Sequence, residues 1–425
     1  MPDHTYRPDL MGNALLTSDT PVVAGEWTNF ELIYQAGKFG IDDLGGVRLA
    51  MRSHSDMTKL QTTDPTAPGY LTVEASNGAP LEYGFSYKRN IRPWGNCITV
   101  LCKGFLRPED TLTFRIGDPR QGCIGVRMQT HCESAFQFRF TVDAFASVDY
   151  IPIIEERQPT IAVLPGPPSV WKAQLPTLRR PDEPFRFIVK SEDRWGNPSD
   201  RYNGFLVLKA TPDIPGLPKK IDFKFGQFSA IVDDLRIIVP GDYSIEIYKD
   251  DIKLITSNPL RIEESPFAHF WSDMHGQSGE SIGTGAAREY FTFARDRSFV
   301  DITGHQANDF QISDNFWDEI NALTSEFNVE GKFLCLPGYE WSGNTGLGGD
   351  HNIWYRSEGR PIYRSSRALI GDITRPETDC HDIKDLFEAL RDEDVIVVPH
   401  VGGRFADVSY AHDARLEPSV EVHSS

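Results

Sequence analysis

From Pro266 onward the sequence alternates strand-like apolar runs with helical periodicity, whereas before that point it carries strand patterning alone. This change of period constrains the fold more than any other feature, because side chains repeat every second residue on a strand and every 3.6 on a helix. Ala287, Tyr290, Phe291 and Ala294 recur at i, i+3, i+4 and i+7, as do Ile383, Leu386, Phe387 and Leu390. Both sets predict amphipathic helices. A third helix is expected from Asp314, as N-cap, through Phe316, Ile320, Leu323 and Phe327. Strands are expected near 268, 299, 333, 352, 395 and 420. Alternating β and α elements imply a parallel sheet or a barrel.

Upstream, Leu71, Val73 and Ala75 alternate with polar residues, and so does the run Phe136, Phe138, Phe140, Val142, Ala144. Turn clusters such as Thr63-Asp64-Pro65 separate the runs, so a β-sandwich is expected over residues 1–155. From Gln158 to Pro184 the chain is rich in proline, which suits an extended connector. Strand patterning resumes from about 185, with Phe185 to Val189 and the run Tyr243, Ile245, Ile247. Residues 156–264 are therefore read as a connector plus a second β-sandwich-like module, which loosely resembles the immunoglobulin-like modules that accompany bacterial surface and enzyme domains. Such modules more often support than catalyse.

A chain of 425 residues exceeds one ordinary domain and suits two or three. No apolar stretch approaches the ~18 residues needed to span a bilayer, and the start (Met1, Pro2, Asp3, His4) is polar. A soluble, cytoplasmic protein without membrane partners is expected. The net charge of −18 argues against a nucleic-acid partner, because phosphate contacts need clustered Lys and Arg. A small-molecule substrate is expected, and the oligomeric state stays open. Cysteines at 97, 102, 123, 132, 335 and 380 form no C-x-x-C pair and are read as reduced and structural.

Eight of the eleven histidines fall in the last 157 residues. His275, His305, His351 and His400 each lie at or near a strand-like run, where a ligand projecting from a strand end is held rigidly over a shared pocket. Imidazole is also the commonest protein ligand for Zn, Mn and Fe. The runs are Phe270 to Gln277, Phe299 to His305, Phe333 to Trp341, and Val395 to His400, with Asp350-His351-Asn352 after a glycine-rich loop. Taken singly, each histidine is more readily a satisfied core or surface residue than a ligand; their recurrence points to a metal site.

In this order and placement, Asp273-Met274-His275-Gly276-Gln277, Thr303-Gly304-His305, Gly338-Tyr339-Glu340, His351 and His400 resemble the PHP-type metal-dependent phosphoesterases. The resemblance covers roughly residues 265–425. It implies a distorted α/β barrel holding one to three divalent ions (Zn, Mn or Fe), with Glu340, His351 and His400 as one complete metal position. A second position would use His275, Gln277 and a bridging Glu340, and a third would use His305. Glu340 and His305 would also serve the reaction directly. Asp273, Asp301, Asp350, Glu421 and His423 could orient ligands or enter the pocket as outer residues.

Two departures stand out: Gln277 where a second histidine is usual, and Gly304 where an aspartate is usual. The closing Asp-x-His of that family is missing before Ser425, so the barrel is expected to be incomplete at its carboxyl end. The implied activity is phosphoester hydrolysis by metal-activated water. An amidohydrolase-like ester or amide hydrolase, or a binding protein with a degenerate site, remain as alternatives. Gly343, Gly346, Gly348 and Gly349 lack the Lys-Ser or Lys-Thr of a phosphate loop, and Gly276-Gln277-Ser278-Gly279 lacks the G-x-S-x-G elbow. His269, His381 and His412 are read as structural or surface residues.

Overall fold

A computed structural model describes residues 7–87, 93–368, 370–371, 379–401 and 404–423. The chain divides into two compact units. One comprises Met1–Lys172 with Lys190–Gly204 and Asp222–Phe228; the other comprises Ala173–Val189, Phe205–Ile221 and Ser229–Ser425. The fold is mostly β. Among the described residues no helix is long and apolar enough to cross a membrane.

The first unit is sandwich-like. An antiparallel sheet of four strands, in the order Asn13–Leu16, Phe30–Gln35, Thr111–Ile116 and Leu71–Ala75, faces one of five strands. The five run Ile151–Pro152, Arg139–Asp143, Gly46–Met51, Asn96–Cys102 and Leu81–Tyr87. Alternate residues point inward, so Leu32, Tyr34, Phe114 and Ile116 meet Leu49, Ile98, Val100 and Phe140 in one core. The Tyr34 and Phe140 rings stack at 6.1 Å, and Phe114 meets Phe140 edge-on at 5.5 Å.

Two expectations change here. The single run from Phe136 to Ala144 is cut at Phe138 into two strands. Glu133–Gln137 pairs with Thr160–Leu164, whereas Arg139–Asp143 pairs with Gly46–Met51. The proline-rich stretch is also not a free connector, because Thr160–Leu164 and Val170–Gln174 are strands within it. Prolines favour an extended backbone and bracket these strands without occupying their hydrogen-bonding positions.

In the second unit Gly241–Lys249 pairs antiparallel with Ile252–Thr256 and Leu260–Ile262, and it buries Tyr243, Ile245 and Ile247 on alternate positions. Among the described residues after Pro266 there are six strands: β1 (Ser272–Gly276), β2 (Ile302–His305), β3 (Leu334–Cys335), β4 (Gly338–Ser342), β5 (Asp350–Tyr355) and β6 (Val395–Pro399). Helices α1 (Ala287–Phe293), α2 (Asp314–Phe327) and α3 (Ile383–Ala389) lie where the periodicity places them. α2 buries Phe316, Trp317, Ile320, Leu323 and Phe327 on one stripe.

The six strands do not close a barrel. β1, β2 and β3 form a parallel sheet, but β4, β5 and β6 form a separate antiparallel one. The physical reason is connection length. Residues 343–349 between β4 and β5 are too few for a parallel crossover, which needs about a dozen or more, so the chain turns back as a hairpin. Near residue 420 the expected strand is reduced to a bridge between His400 and Glu421.

Asp314 is not the N-cap of α2. Ser313 caps it, its hydroxyl accepting from Phe316 N at 3.1 Å, and Asp314 begins the helix. Its carboxylate instead meets the buried Arg364 guanidinium at 3.0 Å. Removing one partner of a buried ion pair strands the other. Asp314→Ala is therefore expected to destabilise the second unit by about 3–5 kcal/mol, read as a lowered urea midpoint. A shift below about 1 kcal/mol, the range of exposed pairs, would contradict the pairing.

Candidate metal centre

β1 delivers His275 at its carboxyl end, where the ladder with β2 shifts register between Asp273 and Gly276. A register shift of this kind re-aims side chains. His275 Nδ1 lies 2.9 Å from Glu421 Oε2, and its Nε2 lies 3.8 Å from Glu340 Oε2. Gln277 also reaches Glu340, donating from Nε2 to Oε2 at 3.3 Å, while its own Oε1 accepts from Ser281.

The β4–β5 hairpin supplies the acidic half. Glu340 faces Asn352 across the ladder, and Ser342 faces Asp350. Opposed residues share a face of the sheet, so Glu340, Ser342, Asp350 and Asn352 project together. Asn308, bridged to Glu340 from the segment after β2, donates to Glu340 Oε2 at 2.5 Å and to Ser342 Oγ at 2.8 Å. Asn352 Nδ2 donates to Glu421 Oε2 at 2.8 Å. β6 ends in His400, whose Nδ1 lies 2.8 Å from the Arg404 carbonyl.

Two overlapping sets of ligand atoms result. Glu340, Asp350 and His400, all buried, offer atoms within 4.8 Å of one another; so do His275, His400 and Glu421. His400 belongs to both. Asp350 Oδ1 sits 3.0 Å from the Arg404 guanidinium, which also donates to the carbonyls of Ser342 and Gly343.

The electrostatics reflect this crowding. Burial and the neighbouring Glu340 hold the Asp350 carboxyl well above its ordinary range, against the opposing pull of Arg404. For His275 burial alone would favour the neutral ring, but the carboxylates of Glu340 and Glu421 outweigh it and raise the imidazole to about 9. Burial also acts on Glu421, yet His275, His400 and Asn352 pull its carboxyl below the usual value.

Two expected ligands, His351 and His305, are placed elsewhere. His351 does not join Glu340 and His400. On β5 it alternates with Asp350 and Asn352, so it points to the opposite face, with Nε2 3.1 Å from Glu417 Oε1 and Nδ1 3.1 Å from the Gly349 carbonyl. Glu417 in turn accepts from His412. His305 is fully buried, its Nε2 is taken by Ser278 Oγ at 2.8 Å, and aromatic rings of Tyr290, Phe291 and Phe316 surround it. Desolvation lowers it to about 3, which fixes a neutral ring.

Among the outer candidates, Asp301 binds the backbone of Trp271 at 2.8 Å, Asp273 is exposed, and His423 is exposed. Glu421 contacts the site directly. Gly304 has a steric reason to be glycine: a Cβ there would lie 2.8 Å from Trp354, so an aspartate has no room. No motif in the sequence marks Asn308, Asn352 or Arg404. The signal for Asp350 and Asn352 was the short 343–349 connection, which makes β4–β5 a hairpin and puts their parity opposite to that of His351.

In the cation-free chain the pH dependence has a defined sign. The stability that His275 gains as a cation is fully present below its ordinary value of 6.5 and is lost as pH rises through about 9. The raised Asp350 carboxyl acts in the same direction, disfavouring the folded state once it ionises. Thermal denaturation in chelator is expected to show stability falling from pH 6.5 to 9, with His275→Gln flattening that limb. A wild-type profile that stays level or rises would contradict this electrostatic picture.

Residues 249–408 match the profile of a family described as "Protein of unknown function (DUF3604)". The matched stretch includes His275, Glu340, Asp350 and His400 and stops before Glu421. An uncharacterized protein of Chlamydia pneumoniae is 28% identical over 135 residues, which is 30% of this chain. The chain spans about a fifth of the length of that curated relative, 21%. Among solved structures, the calcium binding domain CBD12 of CALX1.1 aligns over 59% of this chain and 82% of its own at 11% identity and a TM-score of 0.19. AvmM, which catalyzes macrocyclization in alchivemycin A biosynthesis, aligns over 38% of this chain and 93% of its own at 10% identity and a TM-score of 0.23. Likenesses at those scores carry no weight for fold or function.

Proposed function

We propose that the segment from residue 265 onward holds a divalent cation among Glu340, Asp350, His400, His275 and Glu421, and that it hydrolyses a small anionic ester, a phosphoester foremost. The observation that carries the reading is the sharing of His400 by two three-residue ligand sets, one of them wholly buried. Carboxylate and imidazole donors together suit Zn, Mn or Fe.

The residues fit such an ion. Glu340 and Asp350 are 3% exposed each, and Asp350 holds its proton far above the usual carboxylate range, so the pair lacks sufficient positive charge. Among the described residues Arg404 is the full cation that meets Asp350, at 3.0 Å. When bound, a divalent ion supplies Lewis acidity toward a phosphoryl or carbonyl oxygen and acidifies a water. The remaining tasks belong to the chain. Asn308 and Gln277 fix the direction of Glu340, and Asn352 fixes that of Glu421, as outer partners of ligands do. Arg404, 44% exposed at its side chain, adds positive charge beside Asp350 and favours an anionic substrate over a neutral one. His305, buried and neutral, supports the fold beneath the site and takes no proton from substrate here.

Hydrolysis of p-nitrophenyl phosphate or its diester is the test. Activity is expected to disappear with chelator, return with Zn or Mn, and be lost in Glu340→Gln and Asp350→Asn. His351→Gln should retain most of it. Asn352→Ala should weaken metal affinity about 10–100-fold. Turnover confined to ester or amide panels would favour the amidohydrolase-type alternative, and metal binding without turnover on any panel would favour a binding protein.

A further inference from the structure

Outside the last 157 residues the chain has only three histidines, His4, His54 and His131. The last two, far apart in sequence, converge in the first unit. His54 lies in the loop that follows the strand Gly46–Met51, and His131 precedes the strand Glu133–Gln137. Their rings are 5.5 Å apart at 49°. With Glu133 they offer three ligand atoms within 4.8 Å of one another.

The surroundings are those of a prepared site. His131 Nε2 is buried and has no hydrogen-bond partner, a costly state for a polar atom unless something binds it. The fully buried Gln129 donates to Glu133 Oε2 at 3.0 Å and to the His131 carbonyl at 3.2 Å, which holds the Glu133 carboxylate and the backbone at His131. Thr130 clamps the two segments together, its N and Oγ1 meeting Asp56 Oδ1 and Oδ2 at 2.7 and 3.0 Å. Arg127 also holds Asp56 at 3.2 Å, so that carboxylate is committed and serves as a nearby negative charge, not as a ligand. Hydrogen bonds within the chain itself thus position the two segments.

We propose that His54, His131 and Glu133 form a second cation site, independent of the one around His400, that binds zinc with three protein ligands and a fourth position left to water. Two imidazoles and a carboxylate match zinc in donor type and number. They do not match magnesium or calcium, which take oxygen ligands. The ion would tie the loop after Gly46–Met51 to the start of Glu133–Gln137 and so add to the stability of the first unit by mass action.

The test uses the full chain with the other candidate site disabled by Glu340→Gln, Asp350→Asn and His400→Ala, dialysed against zinc and measured for bound metal. A single zinc ion per chain is expected to remain, and adding His54→Ala and His131→Gln is expected to remove it and the zinc-dependent rise in Tm. Cobalt substitution checks that folding is not the cause: the folded chain should show the visible bands of a tetrahedral ion, and Glu133→Gln should weaken or shift them with the circular dichroism unchanged. Zinc content that ignores the His54 and His131 substitutions, or an absence of zinc in the disabled background, would overturn the proposal. Loss of metal only with the His400 set would leave the other site standing and refute this one.

Discussion

Two carboxylates, Glu340 and Asp350, are buried side by side, and the arrangement around them answers that one cost. Each ionised carboxylate removed from water loses solvation, and a second beside it adds repulsion. Asn308 and Gln277 donate to Glu340, Arg404 approaches Asp350, and His275 is raised to about 9 between Glu340 and Glu421. Even so, Asp350 keeps its proton far above the ordinary range. A divalent cation is the simplest group that would relieve the remaining imbalance, and His400 stands within reach of both ligand sets.

The backbone explains how these residues meet. The parallel strands β1 and β2 set the position of His275, while the β4–β5 hairpin and β6 present Glu340, Asp350 and His400 from a separate antiparallel sheet. Trp354 packs where a side chain on Gly304 would sit, so the position at which the resembled family usually has an aspartate has no room for one. His305 below it has become a core residue held by Ser278. The candidate ligands therefore gather at the hairpin and away from β2.

Residue order made much of this legible. The apolar periodicity locates α1, α2 and α3, and placement at strand ends marks His275, Glu340 and His400 in the sequence itself. The error at His351 has a plain cause: on a strand the neighbour on either side faces the other way, and sequence alone did not fix the parity of β5. A hairpin reading of 343–349 would have favoured Asp350 and Asn352. The barrel failed for the same reason, since a resemblance in motif order says nothing about strand direction. Asn308 and Arg404 were invisible because they act through hydrogen bonds made only in the folded chain.

The most direct measurement is anomalous diffraction at the zinc edge from crystals of the full chain grown with zinc. A peak bonded to His400 and to an oxygen of Glu340 or Asp350, at about 2.0–2.2 Å, is expected. A peak at His351 and Glu417 with none among His275, Glu340, Asp350, His400 and Glu421 would contradict the placement of the centre.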